Sequence, residues 1–214
     1  MFNNVKVRFI AKTKLEYDIW PKPVLASANK PEWYQKMQSY GTGKVAIVPW
    51  EENKLGINPN LKLCMPVHDM LTAGYHILLP TDVYIDYEQT SGQKKIIWSE
   101  SVPSMVTTHH IEQIRGYPVP EEYESNPYKW ANAWIIKTPP GWSCLFQHPA
   151  WHDHLPFRSL PAIVDTDKHD IIVMFPFLLR RSFTGLIPKD TPIMQVIPFR
   201  RQDIKANYTW DENG

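Results

Sequence analysis

The sequence predicts an all-β protein, an antiparallel sandwich or clip-like barrel with jelly-roll-type connections and one or two short helices. Proline is frequent, with 20 residues against 9 glycines. It disfavours long helices because it lacks an amide proton and clashes inside a helix. Aromatic residues make up 13% of the chain. Short alternating segments separated by turn residues recur along the sequence, which is typical of β-sandwiches and barrels.

Length and charge limit the possible classes of protein. A chain of 214 residues with 43% hydrophobic residues is long enough for one packed domain. The net charge of +1 provides no general attraction to nucleic acid or to an anionic membrane, and neither is an expected partner. The longest apolar run, residues 171–179, is far shorter than the roughly twenty residues that span a bilayer. No signal peptide is recognised, and two cysteines suggest free thiols, so a cytoplasmic location is expected.

The N-terminal part, residues 1–60, is predicted to contain a strand, a proline-rich arm and a short helix. Residues 5–10 alternate as a strand does, and the arm covers residues 20–31. A proline at a first helical position followed by helix-forming residues predicts a helix over 31–37. Residues 45–50 are predicted to form a further strand.

The β core is predicted over residues 61–201, and a polar tail at 202–214 is expected on the surface. Proline-rich or histidine-rich stretches at 109–130 and 148–161 predict loops. Strands are predicted at 61–65, 75–79, 82–87, 94–99, 134–137, 142–147, 162–164, 171–178, 182–186 and 193–199. Alternation places one face of each strand in the core. The side chains expected to be largely buried are Tyr75, Ile77, Trp134, Ile136, Trp142, Cys144, Val173 and Phe175.

The densest cluster of potential metal ligands lies in the loop at 148–161. It contains His148, His152, Asp153 and His154. In an extended segment His152 and His154 point to the same side, and imidazoles with a carboxylate suit Fe(II), Mn or Zn. A jelly-roll metal site of this type normally has a glutamate a few residues further on, and none follows. Two alternatives therefore remain. Either His148, His152 and His154 bind a divalent metal, or the loop is polar and its histidines are solvated.

Three segments, in chain order, resemble motifs of the trimeric dUTPase and dCTP deaminase group. They are residues 72–77 (TAGYHI), 162–167 (AIVDTD) and 187–197 (IPKDTPIMQVI). The resemblance implies a dUTPase-like, barrel-like clip. It also implies that Asp165 matches the water-activating carboxylate of the group, so that Asp165 and Asp167 are the catalytic candidates if the protein is an enzyme.

Other positions depart from that pattern. His76 and Lys168 stand where the group has an aspartate and a tyrosine, and the serine motif and glycine-rich arm have no counterpart. A carboxylate without metal ligands and phosphate donors cannot stabilise a pyrophosphate transition state. The resemblance therefore implies the fold rather than the activity. Asp165 and Asp167 are expected at a turn near the loop that contains His148 to His154, the histidine loop.

A second resemblance covers roughly residues 20–201. Five segments are similar to an uncharacterised protein family of marine tailed phages: residues 31–34 (PEWY), 62–66 (KLCMP), 72–75 (TAGY), 138–143 (TPPGWS) and 192–199 (PIMQVIPF). A bacterial domain family of unknown function shares the TPPG and final-strand patterns. This resemblance implies a viral source, with the protein in the host cytoplasm or in the virion.

The sequence favours a non-enzymatic phage protein that acts by assembly, for example by decorating a capsid, and that needs no cofactor. The alternatives are a divergent nucleotide hydrolase using Asp165 and a metal enzyme using the histidine loop. The expected partners are further copies of the chain, as a trimer by resemblance, and other virion proteins. In the arm at 20–31 and its helix, Trp20 and Trp33 are the predicted interface anchors. Alternatively, the arm folds back over its own barrel.

Overall fold

The structure is a computed structural model that describes residues 5–42, 57–88, 93–108 and 110–210. The strand predicted at 45–50 lies outside these residues. The described α-helices are α1 (Lys14–Ile19), α2 (Glu32–Lys36) and α3 (Met65–Thr72). Single 3₁₀ turns are at Ala26–Ala28, Leu61–Leu63 and Ile111–Ile114. The described strands are β1 (Arg8–Ala11), β2 (Val24–Leu25), β3 (Tyr40–Thr42), β4 (Ile57–Pro59), β5 (Tyr75–Leu78), β6 (Val83–Tyr87), β7 (Lys94–Trp98), β8 (Val106–Thr108), β9 (Tyr128–Trp130), β10 (Trp134–Lys137), β11 (Trp142–Gln147), β12 (Phe157–Ser159), β13 (Ala162–Val164), β14 (Phe175–Leu179), β15 (Gly185–Ile187) and β16 (Pro192–Arg200).

The strands form several antiparallel sheets. The largest has five strands in the order β13-β11-β16-β5-β2, and a second has four in the order β12-β14-β9-β8. A three-stranded sheet, β15-β6-β7, and the pairs β1-β10 and β3-β4 complete the set among the described residues. Mostly β-structure with short helices confirms the predicted all-β sandwich. The strands predicted at 82–87 and 94–99 pair antiparallel with each other as β6 and β7.

One hydrophobic core joins the sheets. The four-stranded sheet contributes Trp130 and Phe177, whose rings stack at 4.0 Å between centroids. The five-stranded sheet contributes Phe146, and the three-stranded sheet contributes Val83 and Ile85, all essentially without solvent contact. Because side chains alternate across a strand, these three sheets each present an apolar face to this common centre.

The burial expected from alternation is confirmed for Ile77, Trp134, Ile136, Cys144 and Phe175. The other three expected core side chains, those of Tyr75, Trp142 and Val173, are half-buried.

The described ranges contain three short α-helices where one or two were expected, and the prediction of a strand over 61–65 is wrong. The side chain of Asn60 accepts a hydrogen bond from the Leu61 backbone N–H, which begins a 3₁₀ turn, and Pro66 lies in the first turn of α3. Proline is tolerated there because its missing N–H has no partner in a helix start. Helix α1 begins with a capping box, in which Thr13 and Glu16 satisfy each other's backbone N–H groups.

Two further predictions need correction. Residues 171–178 are not one buried strand, because β14 begins at Phe175, where its ladder with β9 starts, and Ile171 is 59% exposed. The loops predicted at 109–130 and 148–161 each contain a short strand, β9 and β12. Both are three residues long and pair with β14, so they depend on a distant partner rather than on a local pattern.

Candidate functional site

The two candidate catalytic carboxylates lie beside Arg201, which follows β16. Arg201 donates both of its terminal nitrogens to the Asp167 carboxylate, and the Gly141 backbone N–H donates to the same group at 2.8 Å. Asp165 accepts from the Ser143 hydroxyl at 2.7 Å and lies 3.0 Å from Arg201 Nη1. The turn after β13 therefore faces the first residues of β11 and the end of β16.

These contacts stabilise the ionised carboxylates. The hydrogen bond from Arg201 holds the pKa of Asp167 well below its ordinary value, and the Asp167 side chain is only 7% exposed. The pKa of Asp165 is lowered mainly by the hydrogen bond from the Ser143 hydroxyl and, to a smaller extent, by the hydrogen bond from Lys168. A general base works best when its pKa lies near the operating pH, so a lowered pKa makes Asp165 a weak proton acceptor. The geometry suits an anchor for Arg201 better than a base.

We expect Asp167→Asn to lower the thermal unfolding temperature more than Asp165→Asn does. Asp167 is the more buried carboxylate and holds Arg201 through two oxygens, so its loss leaves the guanidinium without its bidentate partner. Circular dichroism melting of the two variants beside the wild type measures this order. Equal melting temperatures would contradict the anchoring role. The enzymatic alternative instead requires a wild-type nucleotide hydrolysis that Asp165→Asn abolishes.

The histidine loop, residues 148–154, uses its rings in local hydrogen bonds. The Ser159 backbone N–H donates to His148 Nδ1 at 3.3 Å, which leaves the ring proton on Nε2. That nitrogen donates to the His152 carbonyl oxygen at 3.3 Å. His152 Nδ1 in turn donates to the Ala150 carbonyl oxygen at 3.0 Å. His154 is exposed, with its ring 5.7 Å from that of His152.

A fourth histidine, His76 of β5, completes this cluster although the loop pattern does not contain it. Its ring centroid lies 5.5 Å from that of His152, and the Asn29 amide donates to its Nδ1 at 3.2 Å. Burial lowers the pKa of His76 to about 3 and that of His148 to about 4, and it also lowers the pKa of His152. These three histidines are therefore neutral at pH 7.

In the described part of the chain no group of three or more His, Cys, Asp or Glu side chains is arranged to hold a metal ion. A metal held by His148, His152 and His154 stays a prediction, which elemental analysis of the purified protein would test. The structure separates these histidines from the carboxylates. Val164, just before Asp165, pairs with Cys144 near the start of β11, whereas His148 follows the end of the same strand. The expected closeness of the two sets is absent.

The predicted interface anchors have different positions. Trp20 is 6% exposed and belongs to the core of its own chain, and β2, within the arm, pairs with β5. The arm therefore folds back on its own sheet, which corrects the assignment of Trp20 as a contact for a partner. Trp33 is half-buried, and its indole N–H donates to the Trp151 carbonyl oxygen at 3.0 Å. Its role in an interface stays a prediction.

The C-terminal tail, residues 202–210, forms no helix, strand or turn and is exposed throughout its described length. Ile204 is 86% exposed, Tyr208 92% and Trp210 87%. Together with Ala206 they occupy every second position, so an extended tail presents one apolar face and one polar face. The tail lies on the surface as expected. The alternation of apolar and polar residues over 204–210 was the feature of the sequence that showed the tail not to be uniformly polar.

Gln195 is a second residue that sequence patterns do not reveal. It is fully buried on β16, and its side-chain oxygen accepts from the Ala150 backbone N–H at 2.9 Å. Its nitrogen donates to the carbonyl oxygens of Met70 and Ala73 at 2.9 and 2.8 Å. Gln195 thereby ties the histidine loop to the end of α3.

No known protein-family model matches this chain. A search of curated proteins likewise finds no match. Among the described residues, every helix is too short to cross a bilayer.

Proposed function

We propose that this protein is non-catalytic and acts by self-assembly, with the C-terminal tail of one copy adding as a strand to the sheet of a second copy. The observation that carries the proposal is that the apolar residues at every second position of 204–210 are all exposed, on a segment that forms no helix or strand of its own. Burial of a large apolar side chain contributes about 1.5–3 kcal/mol. Three such side chains on one short segment are a substantial driving force against the entropy lost on association.

The acceptor in this proposal is the outer edge of β13. Among the described strands β13 pairs only with β11, so its other edge is open. It carries neither a charge nor a bulge, and Ile163 on it is 65% exposed. Natural edge strands are commonly protected against pairing by charges or bulges, and their absence favours addition of an extended segment.

The root of the tail is held in place by the carboxylate cluster. The Arg201 backbone N–H donates to the Gly141 carbonyl oxygen at 2.8 Å, while the Arg201 side chain is bound by Asp165 and Asp167. A fixed exit direction lowers the entropy that the tail loses when it binds another copy. In this proposal the two carboxylates position the tail. The phage-like sequence segments support a place in the virion after synthesis in the host cytoplasm.

Removal of the large aromatic side chains from the tail is expected to abolish self-assembly. Light scattering of the wild type should give a multiple of 25.0 kDa, with a trimer as the expected size. The double variant Tyr208→Ser/Trp210→Ser should give a single folded chain with an unchanged circular dichroism spectrum. The matched control is Ile111→Ser/Tyr117→Ser, which removes two side chains that are 48% and 45% exposed elsewhere. It should leave the oligomer intact.

The edge is tested separately by Ile163→Lys, which places a charge on β13 and should also give single chains. A wild type that remains monomeric through the micromolar range would contradict the proposal. An oligomer that survives the tail substitutions would contradict it equally. Mass spectrometry of purified virions tests the proposed location.

A further inference from the structure

A cleft of about 550 Å³ lies between the histidine loop, β12 and the residue that follows β14. Its volume is within the range of about 300–1,000 Å³ typical of small-molecule sites. Two arginines, Arg158 and Arg180, line it. Arg158 pairs with Leu178 across the β12-β14 ladder, and Arg180 lies two residues further along. Because alternate residues share a face, both arginines extend from the same side of the ladder.

Neither guanidinium is neutralised within the described part of the chain. No carboxylate there forms an ion pair with Arg158 or Arg180. Arg180 donates one terminal nitrogen to the Asp153 carbonyl oxygen at 3.0 Å, but its Nε is buried and has no acceptor among the described groups. An unpaired buried donor costs free energy that an acceptor would recover. Asp153 also lines the cleft and supplies one negative charge against the two positive ones.

The apolar wall of the cleft includes a strained tryptophan. Trp151 has φ +62°, a backbone conformation that is unfavourable for a bulky side chain, and it is 38% exposed. The Trp33 indole N–H holds the Trp151 carbonyl oxygen, and Gln195 holds the adjacent Ala150 backbone N–H. Strain of this kind persists where the surrounding structure enforces it, and it is concentrated at functional sites. Trp151 lines the cleft together with the two arginines, and its ring lies 6.3 Å from that of Trp33, between centroids.

We propose that this cleft binds a small organic anion whose phosphate or carboxylate accepts hydrogen bonds from Arg158 and Arg180 and whose planar part packs on Trp151. Guanidinium groups form paired, charge-assisted hydrogen bonds with such oxyanions. An aromatic ring adds stacking energy for a planar group. The binding site is separate from the tail and does not depend on self-assembly.

Isothermal titration calorimetry of the full chain with four probes tests the proposal. Phenyl phosphate and benzoate each combine an oxyanion with the same phenyl ring, whereas phenol and inorganic phosphate each supply one part. We expect at least one combined probe to bind about tenfold more tightly than either part alone. Which combined probe binds better distinguishes phosphate from carboxylate as the preferred anion. Absence of binding by all four at millimolar concentration would overturn the proposal.

Three variants locate the site. Arg158→Gln is expected to weaken binding about tenfold, whereas Arg115→Gln, which removes an exposed arginine elsewhere, should not change it. Trp151→Gly should weaken binding, and because glycine tolerates the positive φ, relief of strain should offset part of the stability lost with the ring contact to Trp33. A purely structural role for Trp151 would lower the melting temperature and leave the affinity unchanged. Unchanged affinity in both Arg158→Gln and Trp151→Gly would overturn the assignment.

Discussion

Gly74→Ala is expected to destabilise the folded protein by about 3 kcal/mol or more, the sum of backbone strain and a steric clash. Gly74 has φ +69°, and a Cβ atom there would lie 2.0 Å from the Val196 carbonyl oxygen and 2.9 Å from Ile197 Cα. Both contacts are with the backbone of β16. That strand is paired on both sides, with β11 and β5, so it cannot move away without loss of ladder hydrogen bonds.

Gly116→Ala is the matched control for this substitution. Gly116 also has a left-handed φ, +83°, but a Cβ atom there would meet nothing within 4 Å. It should therefore show only the backbone penalty, about 1–2 kcal/mol. Denaturant unfolding of both variants measures the difference, and failure of Gly74→Ala alone to yield soluble protein would agree with it. Equal destabilisation of the two would show that β16 can accommodate the added methyl group.

Stability is expected to fall steeply as the pH drops below about 6.5, because buried histidines must be protonated on unfolding. The pKa of His76 is about 3 in the folded protein, against an ordinary value of 6.5. The unfolded chain therefore binds a proton that the folded chain excludes throughout the interval between these values. The loss is about 1.4 kcal/mol per pH unit for each such histidine. For His76 alone this amounts to roughly 2–3 kcal/mol between pH 6.5 and 4.5.

His76→Gln isolates this contribution and keeps a polar side chain for Asn29 to contact. Urea unfolding at several pH values from 8 to 4.5 gives the free energy of unfolding as a function of pH. Below pH 6.5 the slope of that plot should be shallower in the variant, by the amount that corresponds to about one bound proton. Above pH 7.5 the two slopes should coincide, because the histidines are then neutral in both states. The pH range of the measurement ends at 4.5 because ordinary carboxylates titrate below that pH. Identical slopes throughout would show that His76 is protonated in the folded state.

The fold class was predictable because its signal is local. Alternation over 82–87 and the run of apolar residues within 142–147 predict strands, and β6 and β11 lie there. Pro31 followed by helix-forming residues predicts α2 in the same way. The missed capping box at Thr13 was also readable from sequence, since a threonine three residues before a glutamate is its signature.

The candidate site was predictable only in part. The sequence resemblance identified Asp165 and Asp167, but their partner Arg201 belongs to no motif that links it to them. Its contact with them exists because β16 and β13 both pair with β11, which brings the ends of distant segments together. Likewise, His76 approaches His152 only because β5 and the histidine loop are joined through Gln195 of β16.

By itself, the sequence determined the antiparallel β class, most strand positions and the alternation of the tail, because side-chain periodicity is set within a few residues. The tertiary structure alone decided which side chains share a site. Strand order placed Asp165 against Arg201 and put Arg158 and Arg180 on one face of a cleft. Strand order follows from burial of all the apolar faces in one core, and that depends on contacts between residues far apart in the chain.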